Sequence, residues 1–91
     1  MLKIESTRET ETSLTVALIG NLEAEHLPEL EELARLAARE GRRLSLDLTQ
    51  VRMVAREAVA YFATGGGRQA RLAGCPTWLR KWLDAENRQH L

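Results

Sequence analysis

The sequence predicts an α/β domain in which a mixed sheet of about four strands is covered by helices, in the order β-β-α-β-α-β-α. Three observations carry this. Apolar and polar residues alternate in "LKIESTRE" and "RRLSLDLTQV", the period of a strand. Apolar residues recur at helical spacing in three other segments. Strand-type and helix-type segments then alternate, and the resulting βαβ crossovers make the later strands parallel neighbours after an antiparallel hairpin at the start.

The first strand is expected over residues 2–8, where Leu2 and Ile4 alternate with polar neighbours, and the second over 13–20 in the branched run "LTVALIG". Gly20 and Asn21 break the pattern. Leu27, Leu30, Leu33, Ala34, Ala37 and Ala38 then mark one face of a helix, with Pro28 in its first turn and Gly41 as its stop. "RRLSLDLTQV", with Leu44, Leu46 and Leu48 alternating with Ser45 and Asp47, reads as a strand inside the sheet. In "AREAVAYFATGGG" Ala58, Val59, Phe62 and Ala63 share a helical face, and the three glycines stop that helix near residue 66. "ARLAGC" is a short fourth strand. Pro76 opens a last helix carrying Trp78, Leu79, Trp82 and Leu83 on one side, and the polar segment beyond Asp84 is expected to fray.

A chain of 91 residues folds around one core, so a single domain over residues 1–91 is expected. Its 13 basic and 13 acidic residues cancel, leaving no net field to draw it to nucleic acid or to an anionic membrane. "MLKIESTRET" lacks the apolar core of a secretory signal, and no run is long enough to span a bilayer, which predicts a cytoplasmic protein without membrane insertion. The single cysteine, Cys75, has no internal partner and suits a reducing compartment. One cysteine with His26 and His90 far apart shows no zinc-ligand spacing, so no metal is expected.

The element order, together with "LTVALIGNL", "LSLDLTQV" and "LAGCPTWLRKWL", resembles the STAS family, the domain of anti-sigma factor antagonists and of the cytosolic tails of sulfate transporters. The resemblance is to its short stand-alone bacterial type and covers nearly the whole chain. In antagonist members the central strand is followed by Asp-Ser-Ser-Gly or a close variant, whose serine is phosphorylated. Here those positions hold Ala55, Arg56, Glu57 and Ala58, so the phosphoacceptor does not carry over. Glu57 at a helix start either offers one fixed negative charge, favoured by the helix dipole, where a phosphoserine puts nearly two, or is only a favourable first-turn acid with Arg56 as its solvated neighbour.

The resemblance implies a non-catalytic interaction module without a cofactor, whose partner is an anti-sigma factor or a kinase-like ATPase. Engagement is expected through the turn at residues 49–58 and the following helix, with Thr49, Arg52, Arg56, Glu57 and Tyr61 as polar contacts. The alternative is an accessory subunit of a membrane transport or lipid-trafficking complex.

The remaining constellations have blander readings. Cys75 lies before a helix start, where a thiol becomes nucleophilic if its pKa falls. No second cysteine and no nearby histidine support catalysis, and a structural role is expected. His26 is read as a helix cap, and Asp47 as a sheet-end acceptor for the following turn. Glu29, Glu31 and Glu32 with Arg35, Arg39, Arg42 and Arg43 read as a solvated surface with i,i+4 pairs. Gly65-Gly66-Gly67-Arg68 follows a helix instead of preceding one, which argues against a phosphate cradle. Trp78 and Trp82 pack in the core by default or leave a contact patch. Homodimers through a sheet edge or the Trp helix are compatible with the sequence.

Overall fold

The hydrophobic alternation closes into a four-stranded sheet of order β1-β2-β3-β4, described by a computed structural model over residues 1–89. β1 (Leu2–Glu9) runs antiparallel to β2 (Ser13–Leu22). β3 (Arg43–Val54) and β4 (Arg71–Ala73) follow parallel to β2. α1 (Leu27–Arg39), entered through a short 3₁₀ turn over Ala24–His26, connects β2 to β3. α2 (Arg56–Ala63) and a second 3₁₀ turn, Gly66–Gln69, connect β3 to β4, and α3 (Thr77–Gln89) follows.

Because successive strand residues point to opposite faces, Leu14, Val16 and Leu18 of β2 lie on the same face as Leu44, Leu46 and Leu48 of β3. These six are buried together with Leu30 and Ala37 of α1, Ala58, Val59 and Phe62 of α2, and Leu79 and Leu83 of α3. The helices therefore cover one face of the sheet. The other carries Lys3, Glu5, Thr15, Ile19, Ser45 and Asp47, all exposed or half-buried, with only the small Ala17 shielded at its centre.

The strands outrun their expected limits. β2 continues through Gly20 and Asn21 to Leu22, because Gly20 takes φ 110°, where the Met1 carbonyl oxygen stands 2.5 Å from the place of a Cβ. The Asn21 N–H then donates to that oxygen at 3.1 Å. β3 reaches Val54 instead of stopping near Val51. Its pairing shifts between Ala17 and Ile19 and again between Gly20 and Asn21, so Thr49 and Gln50 lose the alternation that marks a strand while the ladder resumes beyond them.

Both later helices also differ from expectation. α2 ends at Ala63, ahead of the glycines, where Thr64 returns its N–H to Ala60 O at 2.9 Å and its hydroxyl to the same oxygen at 3.2 Å. α3 starts as expected, with the Pro76 carbonyl accepting the N–H groups of Leu79 and Arg80 at 3.1 and 3.0 Å. It does not fray at Asp84: Ala85, Glu86, Arg88 and Gln89 are good helix formers and extend it to Gln89. His90 lies outside the described residues. No helix among them is long and apolar enough to cross a membrane.

Candidate partner-binding surface

The expected turn at residues 49–58 is mostly strand. Only Ala55, extended at φ −67° and ψ 152°, separates β3 from α2, and its N–H donates to Leu22 O at 2.8 Å. Ala58 is fully buried, whereas Arg56 and Glu57 are exposed in the first helical turn. Among the described residues no ion pair joins Arg56 to Glu57, as expected of helix neighbours that do not face each other.

Helical spacing sorts the expected contacts onto two sides of α2. Glu57 and Tyr61, four residues apart, share a face, and Tyr61 donates its hydroxyl to Glu31 Oε1 of α1 at 2.7 Å. Its ring meets Phe62 edge-on at 5.5 Å. Burial, reinforced by the Glu31 carboxylate, pushes the Tyr61 hydroxyl well above its ordinary pKa. That hydroxyl is thus engaged within the protein.

Arg56 turns the other way. With Val59 of α2 and Trp82, Ala85 and Glu86 of α3 it lines a shallow, mainly apolar groove of about 250 Å³. α3 sinks Leu79 and Leu83 into the core but leaves Trp78 38% and Trp82 51% exposed, their rings crossed edge-to-face at 6.1 Å. Core packing therefore claims the leucines and leaves the tryptophans as a surface pair. Earlier in the chain, Arg52 is exposed on β3 beside Met53, which is 46% exposed. This apolar side chain had no place among the sequence-derived contacts, although the loss of alternation after Thr49 is its signal.

Thr49 is tied into the sheet. Its N–H and hydroxyl both donate to Asp47 Oδ1, at 3.0 and 2.5 Å, and these bonds hold the Asp47 carboxyl below the ordinary carboxylate range. Asp47 sits within β3, opposite Ala17 and Ala73, not at the sheet end, and the shift in pairing follows directly after it. Gly74, at φ 61°, closes over the pair: a Cβ there would collide with Thr49 Oγ1.

Burial pushes the half-buried Cys75 thiol up, away from the thiolate that nucleophilic chemistry needs. The His26 imidazole accepts the Glu23 N–H at Nδ1, 3.0 Å away, in the capping role expected of it. Glu23, Glu25 and His26 bring one potential ligand atom each within 4.8 Å, a grouping of two carboxylates and one histidine that cysteine and histidine spacings do not reveal. Among the described residues the expected i,i+4 charge pairs of α1 give way to an i,i+3 contact of Arg35 with Glu32 at 3.6 Å, while Arg42, beyond the end of α1, bridges Glu9 at 2.8 Å and Glu40 at 3.6 Å. A wide cleft of about 960 Å³ opens at the opposite end of the parallel strands, beside Arg42, Arg43 and Arg71.

No protein-family model matches the sequence, and no curated protein matches it. Among solved structures, the chain is similar to the crystal structure of an uncharacterized protein of the DUF3478 family with a SpoIIAA-like fold from Shewanella loihica PV-4. The TM-score is 0.55 at 17% identity, over 89% of this chain and 71% of that one. The fold is therefore SpoIIAA-like, which is the fold of STAS domains and anti-sigma factor antagonists.

Proposed function

We propose that this protein is a non-catalytic, regulatory interaction module of the anti-sigma factor antagonist kind, binding an anti-sigma factor or a kinase-like ATPase and not switched by serine phosphorylation at the start of α2, the usual site. The observation that carries the reading is the groove between α2 and α3. There a guanidinium, Arg56, stands beside a half-exposed indole, Trp82, on a surface that the core leaves open. Arg and Trp are the residue types that most often anchor protein interfaces. The groove begins at the first turn of α2, where the resemblance places the regulated serine of antagonists. Burial of the Cys75 thiol disfavours the thiolate that a cysteine nucleophile would need.

The test is retrieval of partners from a lysate of the native host by the tagged protein, beside Arg56→Glu and Trp82→Ala variants, with identification by mass spectrometry. An anti-sigma factor or kinase-like ATPase held by the native protein and lost from both variants is the expected result. Transport subunits, or a partner indifferent to both substitutions, overturn the reading.

A further inference from the structure

β1 is an edge strand, paired to β2 on one side only, and its free side has a definite hydrogen-bonding register. The Asn21 N–H donates to Met1 O while Leu2 stands opposite Gly20, which makes Leu2–Gly20 a non-hydrogen-bonded pair of the antiparallel ladder. Alternation from there makes Lys3–Ile19 and Glu5–Ala17 hydrogen-bonded pairs. The backbone groups of Lys3 and Glu5 are thus spent on β2, and those of Leu2, Ile4 and Ser6 point outward along the edge. The shift in pairing between Ser6 and Arg8 ends the run.

We infer that this edge pairs with β1 of a second copy of the chain, antiparallel about a two-fold axis through Ile4. A symmetric ladder must set outward-pointing residues against one another, so the axis passes through a residue and not between two. Axes on Lys3, Ile4 and Glu5 keep paired residues on both sides within the run. An axis on Lys3 opposes Lys3 to itself, and one on Glu5 opposes Glu5 to itself. Ile4 alone sets Lys3 against Glu5 of the other copy, twice.

The side chains fit this register. Lys3 and Glu5 are 69% and 50% exposed and already paired along the strand at 3.3 Å, so two copies place four charges of alternating sign at the corners of a square. They occupy a non-hydrogen-bonded position, where facing Cα atoms approach to about 4.5 Å. Leu2 then meets Ser6 in a hydrogen-bonded pair. Ile4 meets Ile4 on the helix-covered face, where it is partly buried against the core, and the two cores become continuous.

Charged residues on an edge strand ordinarily prevent such pairing. Here the charges complement themselves, and the two roles predict opposite results. Sedimentation equilibrium of the native chain should show a dimer. Lys3→Glu and Glu5→Lys, each alone, place like charges face to face twice and should weaken dimerisation by at least about tenfold. Mixed together, the two variants restore opposite charges at every facing position and should form a heterodimer as tightly as the native homodimer. Circular dichroism checks that each variant keeps its fold. A native chain that is monomeric at every accessible concentration overturns the inference, even if its edge accepts an extended peptide of another protein. Failure of the mixed variants to associate overturns it as well.

Discussion

Replacing Gly74 with alanine tests whether Thr49 serves the sheet or remains available to a partner. Gly74 lies at φ 61°, and an added Cβ overlaps Thr49 Oγ1 and stands 3.2 Å from Asp47 Oδ1. Holding alanine in the left-handed region costs about 1–2 kcal/mol. Thr49 must then swing away and give up its hydroxyl bond to the carboxylate, a further loss on the order of 1–2 kcal/mol at an exposed site. The combined loss of about 2–4 kcal/mol corresponds to a Tm drop of roughly 8–30 °C in a domain of this size. Urea unfolding followed by tryptophan fluorescence measures it. In a Thr49→Ala background no hydroxyl is left to displace, so Gly74→Ala should cost only its backbone share of about 1–2 kcal/mol. The resulting coupling exceeds the roughly 0.5 kcal/mol scatter of independent sites. Equal costs in the two backgrounds, or a Gly74→Ala protein as stable as the native one, would refute the clamp.

Three further outcomes follow from the same geometry. Tyr61 holds its proton more tightly when folded than when unfolded, so its contribution to stability is full below about pH 10 and falls as the pH rises beyond it. Urea midpoints between about pH 8 and 11 should decline less for Tyr61→Phe than for the native protein. Asp47 has the opposite sign: its lowered pKa stabilises the fold above about pH 4, and that share is lost on acidification, so Asp47→Asn should show a shallower acid loss. Leu79→Ala, at a fully buried position, should cost about 2–5 kcal/mol, whereas the exposed Arg56→Ala should stay within about 0.5 kcal/mol, as chemical denaturation will show.

Alternation and helical spacing made most of the architecture legible, because the residues that set them are those the core claims: Leu44, Leu46 and Leu48 on β3, and Leu30 and Ala37 on α1. The element limits were less legible where tertiary contacts override local pattern. Gly20 looks like a strand breaker, yet it is the residue that lets Met1 close onto β2. The exposed pair Thr49 and Gln50 looks like a turn because a shift in pairing cannot be seen in one strand's sequence without its partner. At the candidate surface, exposure of Arg52, Arg56 and Glu57 was readable from their charge. The division of α2 into a Tyr61 side and an Arg56 side was not, since it depends on Glu31 reaching from α1 and on α3 lying alongside. The fate of the tryptophans was likewise hidden. Four apolar residues share a side of α3, but a sheet of four strands accommodates only Leu79 and Leu83 completely.

The sidedness of α2 bears on how its first turn differs electrostatically from one that carries a phosphoserine. A phosphoserine adds nearly two negative charges at one point, and their removal reverses the effect. Arg56 and Glu57 carry opposite fixed charges on adjacent residues, so at a distance they cancel, and only a partner close enough to resolve the two sides of the helix senses either. On the Glu57 side such a partner meets a tyrosine whose hydroxyl is already engaged. On the Arg56 side it meets a mainly apolar groove that Trp82 and Val59 wall and that Glu86 also lines, so a guanidinium, a carboxylate and an indole face a partner within one surface. In the proposed binding role, recognition of this kind is permanent. Ala55, Arg56, Glu57 and Ala58 carry no hydroxyl, so no phosphate can be added or removed at the start of α2.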